Sequence, residues 1–291
     1  NQGASTLGID PASNIVRIAE KRGIETWDEF FSPRIAKKVV KEKKTASVIT
    51  ATNVFAHVDD LKSFMEAVDI LMTKNGVFIF EAPYFGNLVN FLEYDTIYHE
   101  HLSYLLLEPI IKLANQFGME VSDVIERDIH GGSFRVFISR TGERPIHERV
   151  ASFLKREKDS KWSCPETLAK FSQKVKRNRE ELISILNSLK SSGKKVAAVS
   201  APAKGMTLLN YCRIGTETLE FVTEKSTLKI GRHCPGVHIP VVGDDSLVSN
   251  NIDYALLLAW NFSEEIMNNL KEFRENGGKF IIPIPHPRII D

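Results

Sequence analysis

TASVITATN at residues 45–53, DLKSFMEAVDILMT at 60–73 and VFIFEAPY at 77–84 are the segments on which the fold turns. The first is short, apolar and rich in β-branched residues, with a polar exit at Asn53, and reads as a buried strand. Between Asp59 and Thr73, Leu61, Phe64, Met65, Val68, Leu71 and Met72 recur at helical spacing. Asn75-Gly76 supplies a helix stop. Val77 to Glu81 is a continuous apolar strand with an acidic exit. Strand–helix–strand alternation with short turns predicts a parallel sheet covered on both faces.

The same alternation extends outward. Ser5 to Pro11 reads as a strand ending at Asp10, and Ala12 to Arg22 as a helix closed by Gly23. Glu108 to Phe117 reads as a helix closed by Gly118. Val121 to Glu126 and Phe134 to Ser139 read as strands, with His130-Gly131-Gly132-Ser133 as a tight turn between them. From Ile146 to Ser192 the pattern is helical and charged. Its apolar stripe of Phe171, Val175, Leu182, Ile185, Leu186 and Leu189 predicts a long connector helix. A second alternating unit follows: strand Lys195 to Ser200, helix Ala203 to Tyr211, strands Leu219 to Thr223 and Asp253 to Ala259, helix Ser263 to Glu275, and strand Lys279 to Ile282. The expectation is an α/β chain. Residues 1–144 form a doubly wound Rossmann-like domain; residues 145–291 form a smaller Rossmann-like α/β domain that includes a helical connector at 145–192.

Bulk properties exclude some classes. Among 291 residues, 38 Lys and Arg balance 37 Asp and Glu, so charge gives no case for nucleic acid or an anionic membrane as partner. Lys37-Lys38 and Lys41 to Lys44 read as a solvated helix face. Cys164, Cys212 and Cys234 are far apart, odd in number and without a CxxC pair. A disulfide framework and a structural zinc site are disfavoured, and reduced thiols of a cytoplasmic protein are expected. No run approaches the roughly 20 apolar residues of a membrane span. The residues from Asn1 onward carry no secretion signal pattern.

In such a fold ligands gather at the carboxyl ends of the strands, here Asp10, Asn53 and Glu81 to Tyr84. Asp10 suits a ribose contact, and equally a helix cap. Asn53 and His57 share that edge, though Asn also starts helices and His57 can be a satisfied buried histidine. The densest feature is EYDTIYHEHLSY at 93–104, with three tyrosines, two histidines and three carboxylates. Histidine is the usable base at neutral pH, and tyrosine hydroxyls can stabilise an oxyanion. A metal site from His99, Glu100 and His101, or an aromatic structural plug, competes with that reading. Adjacent histidines point apart in extended chain, and no metal is expected. Ser200-Ala201-Pro202-Ala203-Lys204-Gly205 opens a helix and suits a phosphate, or is an ordinary tight turn.

Taken together, GIDP at 8–11, ATNVFAHVDDL at 51–61, EAPYF at 81–85, YDTIYHEHLSY at 94–104, HGGSFRV at 130–136 and APAKGMTLLNY at 201–211 resemble the S-adenosylmethionine-dependent C-methyltransferases of TDP-linked keto-deoxysugars. The pieces fall in family order over nearly the whole chain, and YHEH and APAKG are the most specific. The resemblance implies a methyltransferase version of the first domain and S-adenosylmethionine as cofactor. His101 would be the base that removes a proton beside the sugar ketone, Glu100 its tuner, and Tyr98 and His57 contacts for the enolate oxygen. Asp10, Pro11, Phe30, Phe31, Asn53 and Val54 would hold the cofactor. Tyr84, Ser133, Ser200, Ala201, Lys204, Gly205 and Lys225 would hold the nucleotide-sugar substrate. Family members also carry an N-terminal zinc module and a glycine-rich donor loop, and neither is found in these residues. A monomer is expected. Two rivals stand beside this reading. One is an NAD-dependent nucleotide-sugar dehydrogenase or epimerase, which would need GxGxxG and a Tyr-x-x-x-Lys pair. The other is a non-catalytic sugar-nucleotide-binding homologue.

Overall fold

The computed structural model describes residues 3–127 and 131–291. His130 of the expected glycine turn lies outside them. The chain runs β1 (Gly8–Asp10), α1 (Ser13–Lys21), β2 (Thr26–Asp28), α2 (Pro33–Glu42), β3 (Ala46–Thr52), α3 (Leu61–Leu71), β4 (Met72–Pro83), α4 (Phe85–Asn90) and α5 (Leu107–Asn115). It continues with β5 (Met119–Arg127), β6 (Ser133–Arg140), α6 (Glu148–Ser160), α7 (Pro165–Ser191), β7 (Val196–Val199), α8 (Ala203–Cys212), β8 (Val222–Thr223) and β9 (Val241–Val242). It closes with α9 (Ser246–Ser249), β10 (Tyr254–Leu257), α10 (Ser263–Asn269), α11 (Lys271–Glu275), β11 (Lys279–Ile282) and β12 (Arg288–Ile290).

These elements make two compact units, each assembled from separated pieces of chain. One holds the chain up to Ala82, Leu102–Arg127 and Phe134–Asp159. The other holds Pro83–His101, the Gly131-Gly132-Ser133 segment and Ser160–Asp291. The architecture is α/β and Rossmann-like.

In the first unit β1 and β2 pair in parallel, Gly8 with Thr26 and Asp10 with Asp28. A separate four-stranded sheet has the order β3-β4-β6-β5, with β3 and β4 parallel. Sequence reading expects one sheet and a buried β3. Instead β3 is an edge strand and Val48 is 57% exposed. One core nevertheless serves both sheets. Ile35, Ala36 and Val39 of α2 and Ala67 and Leu71 of α3 pack with Leu7, Ile9, Trp27 and Ile49. The two helices start where their caps dictate. Ser32 accepts the Ile35 N–H before Pro33, and Asp60 accepts the Ser63 N–H. Asn75-Gly76 is not a helix stop but part of β4. Ala46 pairs with Met72 and Val48 with Val77, so the extra residues are absorbed by an irregularity inside the strand.

In the second unit the strand order is β12-β11-β10-β7-β8-β9. Strands β7 to β11 are parallel along the sheet, and β12 is antiparallel to β11. Progress from β7 runs one way through β8 and β9, and from β10 the other way. The carboxyl ends of β7 and β10 therefore form a topological switch point. The expected connector helix is two helices, α6 and α7, broken at Lys161, which has φ +50°, before Pro165. The expected helix from Ser263 is likewise divided at Leu270 into α10 and α11.

Candidate functional site

In the first unit, Phe55 anchors the turn that carries His57. Its ring is fully buried and stacks on Phe80 at 4.4 Å, with Phe64 and Phe78 around it. A tightly packed aromatic fixes the backbone of a short turn, so the half-buried His57 is held at the exit of β3. Asn53, at that exit, has φ +54° and donates its N–H to the Glu81 carbonyl. Asn53 and Val54 are exposed. The Ala56 carbonyl accepts the N–H groups of Leu102 and Ser103 at 3.0 and 3.1 Å. Leu102 and Ser103 are therefore tied to the turn that carries His57.

Asp10 ends β1, half-buried, and its Oδ1 accepts the Ala12 N–H at 2.8 Å; Pro11 between them is exposed. One oxygen thus shapes the strand-to-helix turn. Phe30 and Phe31 part company. Phe31 packs edge-on against Phe64 at 5.0 Å and joins the core, while Phe30 is 77% exposed. Glu81 is buried and takes a two-point contact from Arg135, at 2.9 Å from Nε and 2.7 Å from Nη2.

Of the dense segment, Glu93 to His101 belong to the second unit and Leu102 to Tyr104 to the first. A short 3-10 turn, Tyr94–Thr96, is buried, and the chain then surfaces through Tyr98, His99, Glu100 and His101. The imidazole of His101 stands 4.5 Å from the Tyr98 ring, and its Nδ1 lies 2.8 Å from the Thr96 carbonyl oxygen. A carbonyl can only accept, so Nδ1 carries the hydrogen, and in the neutral ring the basic lone pair is on Nε2. Sequence reading gives the orienting role to Glu100. The carbonyl of Thr96 occupies that place at Nδ1, and the Glu100 side chain is exposed. Thr96 is itself held, its hydroxyl and N–H both donating to the Glu93 carbonyl.

Beneath the turn lies a buried ionisable group of which sequence reading assigns only Lys204, to the substrate. Glu93 and Asp95 are buried, and each has one carboxylate oxygen without a hydrogen-bond partner. The Trp260 indole N–H donates to Asp95 Oδ2 at 2.7 Å, and the Lys204 ammonium stands 4.3 Å from the same indole ring. Burial pushes the Glu93 carboxyl up to about 8; nearby Asp95 adds to this and Lys204 opposes it. Burial raises the Asp95 carboxyl and lowers the Lys204 ammonium, each against the pull of the other's charge. Gly131 and Gly132 explain the glycine pair of the HGGSF motif. A Cβ at Gly131 would lie 2.5 Å from Glu93 Oε1 and one at Gly132 on the Asn87 amide, and both have positive φ.

The expected substrate residues divide. Tyr84 is buried edge-on against Trp162, and Ser133 has no exposed surface. Gly205 is buried, and a Cβ there would press on Leu258. Ala201 donates its N–H to Glu224 Oε2. Ser200 and Lys225 line a cavity of about 300 Å³ at the switch point, with Val199, Glu224, Asp244 and Phe262. Glu224 is partly committed there, since it also accepts the N–H groups of Lys225 and Ser226 and the Lys229 ammonium. Among the described residues no cluster of three or more His, Cys, Asp or Glu is placed to hold a metal, and no helix is long and apolar enough to cross a membrane.

Comparison with known proteins matches two families to consecutive stretches of the chain. A methyltransferase domain family matches residues 1–124, and the family described as the C-methyltransferase C-terminal domain matches residues 128–285. The C-methyltransferase NovU of Streptomyces niveus is 35% identical over 289 residues, spanning 99% of this chain and 69% of NovU. Two solved structures overlap less than half of this chain, too little to add to the argument. They are a SAM-dependent methyltransferase of Anabaena variabilis (17% identity, 46% of this chain, 67% of that one, TM-score 0.38) and the magnesium protoporphyrin IX methyltransferase of Synechocystis (12%, 48%, 65%, 0.37). With both matched families and a near full-length relative agreeing, the chain belongs to the C-methyltransferases, enzymes that take their methyl group from S-adenosylmethionine.

Proposed function

We propose that this C-methyltransferase acts on a ring carbon next to the ketone of a nucleotide-linked keto-sugar, with His101 as general base. The observation that carries the reading is the Nδ1 contact of His101 to Thr96, which leaves Nε2 as the proton acceptor. Carbon methylation beside a ketone requires removal of a weakly acidic C–H proton, and a fixed neutral imidazole is suited to that step. Tyr98 and His57 are assigned to the enolate oxygen, where a hydrogen-bond donor lowers the barrier as charge develops. Exposed Glu100 is assigned to the same segment's contact with substrate.

The donor fits the first unit. Asp10 ends a parallel strand, where a carboxylate suits ribose hydroxyls, and exposed Phe30 offers an aromatic face for adenine. Pro11, Asn53 and Val54 share this strand-exit edge, and Phe31 supports it from the core. Bound S-adenosylmethionine supplies an electrophilic methyl group on a sulfonium. We assign donor binding to residues 1–144 and sugar-nucleotide binding to 145–291 with its connector at 145–192. Ser200 and Lys225, at the cavity, are the direct substrate contacts. Ala201, Gly205, Tyr84 and Ser133 are assigned to the same substrate-binding role. We read the three free cysteines as those of a cytoplasmic enzyme.

His101→Ala is expected to abolish methyl transfer to a TDP-linked keto-deoxysugar while S-adenosylhomocysteine binding, read by calorimetry, is unchanged. Wild-type turnover in that variant would refute the base assignment.

A further inference from the structure

The turn that orients His101 is anchored more heavily than a connection needs. Tyr94 donates its hydroxyl to Asn178 at 2.8 Å, and Asn178 in turn donates to the Pro283 and Pro285 carbonyls. Asp95, wholly buried, takes the Trp260 N–H, and Lys204 on α8 stands over the same indole. The next residue is Thr96, whose carbonyl receives His101 Nδ1. Burying a carboxylate and an ammonium costs free energy that neutral side chains of the same size would not. The hydrogen bond it provides is charge-assisted, short and directional.

We propose that Asp95, Trp260 and Lys204 form a buried lock that positions His101 for proton abstraction, with Trp260 and Asp95 acting as positioning residues through the Thr96 carbonyl. This rests on the reading of His101 as the base. A general base a fraction of an ångström out of place loses rate but not substrate affinity. The lock holds one link of the chain Trp260–Asp95–Thr96–His101, and each link is a contact inside the second unit. The ammonium of Lys204 is then the counter-charge of Asp95, not a diphosphate contact. The 260–262 turn that presents Trp260 also presents Phe262 to the cavity, so the lock sits beside the surface assigned to the nucleotide.

The test uses the full chain and a TDP-linked 4-keto-6-deoxysugar. With S-adenosylhomocysteine present, in D2O, NMR follows exchange of the proton beside the ketone; kcat and KM for methylation are measured separately. Trp260→Phe keeps an aromatic ring under Lys204 and removes the N–H. It should slow exchange and kcat about tenfold or more with KM unchanged. Asp95→Asn keeps an acceptor for the indole and should retain more activity than Asp95→Ala. Wild-type exchange in Trp260→Phe, with His101→Ala inactive, would overturn the lock alone. Wild-type exchange in His101→Ala would overturn the base reading beneath it. A Trp260→Phe loss that appears in KM and thermal midpoint in proportion to kcat would show a structural role only. If Trp260→Phe does not fold, Lys204→Met and Asp95→Asn decide by the same split between kcat and KM.

Discussion

Glu93 is the residue whose ionisation should be visible in the whole protein. Its carboxyl is buried and pushed up to about 8 by desolvation, with Asp95 adding to the rise and Lys204 opposing it. A carboxyl that binds its proton more tightly when folded takes up a proton on folding. The contribution of Glu93 to stability is therefore fully present below the ordinary glutamate value of 4.5 and is lost as pH rises towards about 8. Above that the folded state also ionises and the slope ends. Glu93→Gln should remove this slope. Urea unfolding at pH 5 and pH 8 should show wild type losing roughly 3–4 kcal/mol more than the variant between the two conditions. Equal losses would mean that Glu93 does not hold its proton in the fold. Cys212 behaves similarly: burial raises its thiol to about 11, so it stays neutral and unreactive at physiological pH. Alkylation of intact protein by iodoacetamide should therefore reach the half-buried Cys164 ahead of buried Cys212 and Cys234.

Among the elements, α5 shows how a single carboxylate can define a helix start. Its cap residue Leu106 has no side-chain acceptor, and Glu157 of α6 takes over, accepting the N–H groups of Leu107 at 2.6 Å and Glu108 at 3.1 Å. Two orphan amides at a helix N-terminus are satisfied by one buried anion, with favourable dipole interaction. Glu157→Ala should cost about 2–4 kcal/mol in urea unfolding, and Glu157→Gln less, because an amide keeps one of the two acceptor oxygens. A loss below about 0.5 kcal/mol would mean that water replaces the carboxylate. Elements of this kind mark the limit of what sequence shows. The periodicity of Leu61 to Leu71 and the apolar run of β11 are local, and both elements stand where sequence reading expects them. The three-residue strands β2 and β12 carry too little pattern to read. The pairing of β3 at an edge depends on which strands find each other, which no local pattern encodes. At the proposed site, sequence reading singles out Asp10, His57 and His101 because strand exits and clustered ionisable groups can be read in one stretch. Trp260 is not, because its partner Asp95 lies 165 residues away in the chain. Its position at the exit of β10 is the one signal that could have raised it.

At the scale of the whole molecule, the two units should respond to different ligands. The donor is assigned to the first unit, around Asp10, and the nucleotide to the cavity of the second, around Ser200 and Lys225. A ligand that binds only the folded state stabilises it by about 2.7 kcal/mol at one hundred times its dissociation constant. S-adenosylhomocysteine and TDP should therefore each raise the thermal midpoint when added alone to the full chain. Asp10→Ala should suppress the rise with S-adenosylhomocysteine and keep the rise with TDP. Lys225→Ala should do the reverse, because the exposed ammonium supplies positive charge at a cavity also lined by Asp244, Glu265 and Glu224, the last already paired with Lys229. That acidic lining makes the sign of the second result informative. A diphosphate placed beside the Asp244 and Glu265 carboxylates would be repelled, so TDP needs Lys225 to stay, whereas thymidine alone should bind Lys225→Ala and wild type alike. Loss of both ligands' effects in either variant would mean that one surface serves both.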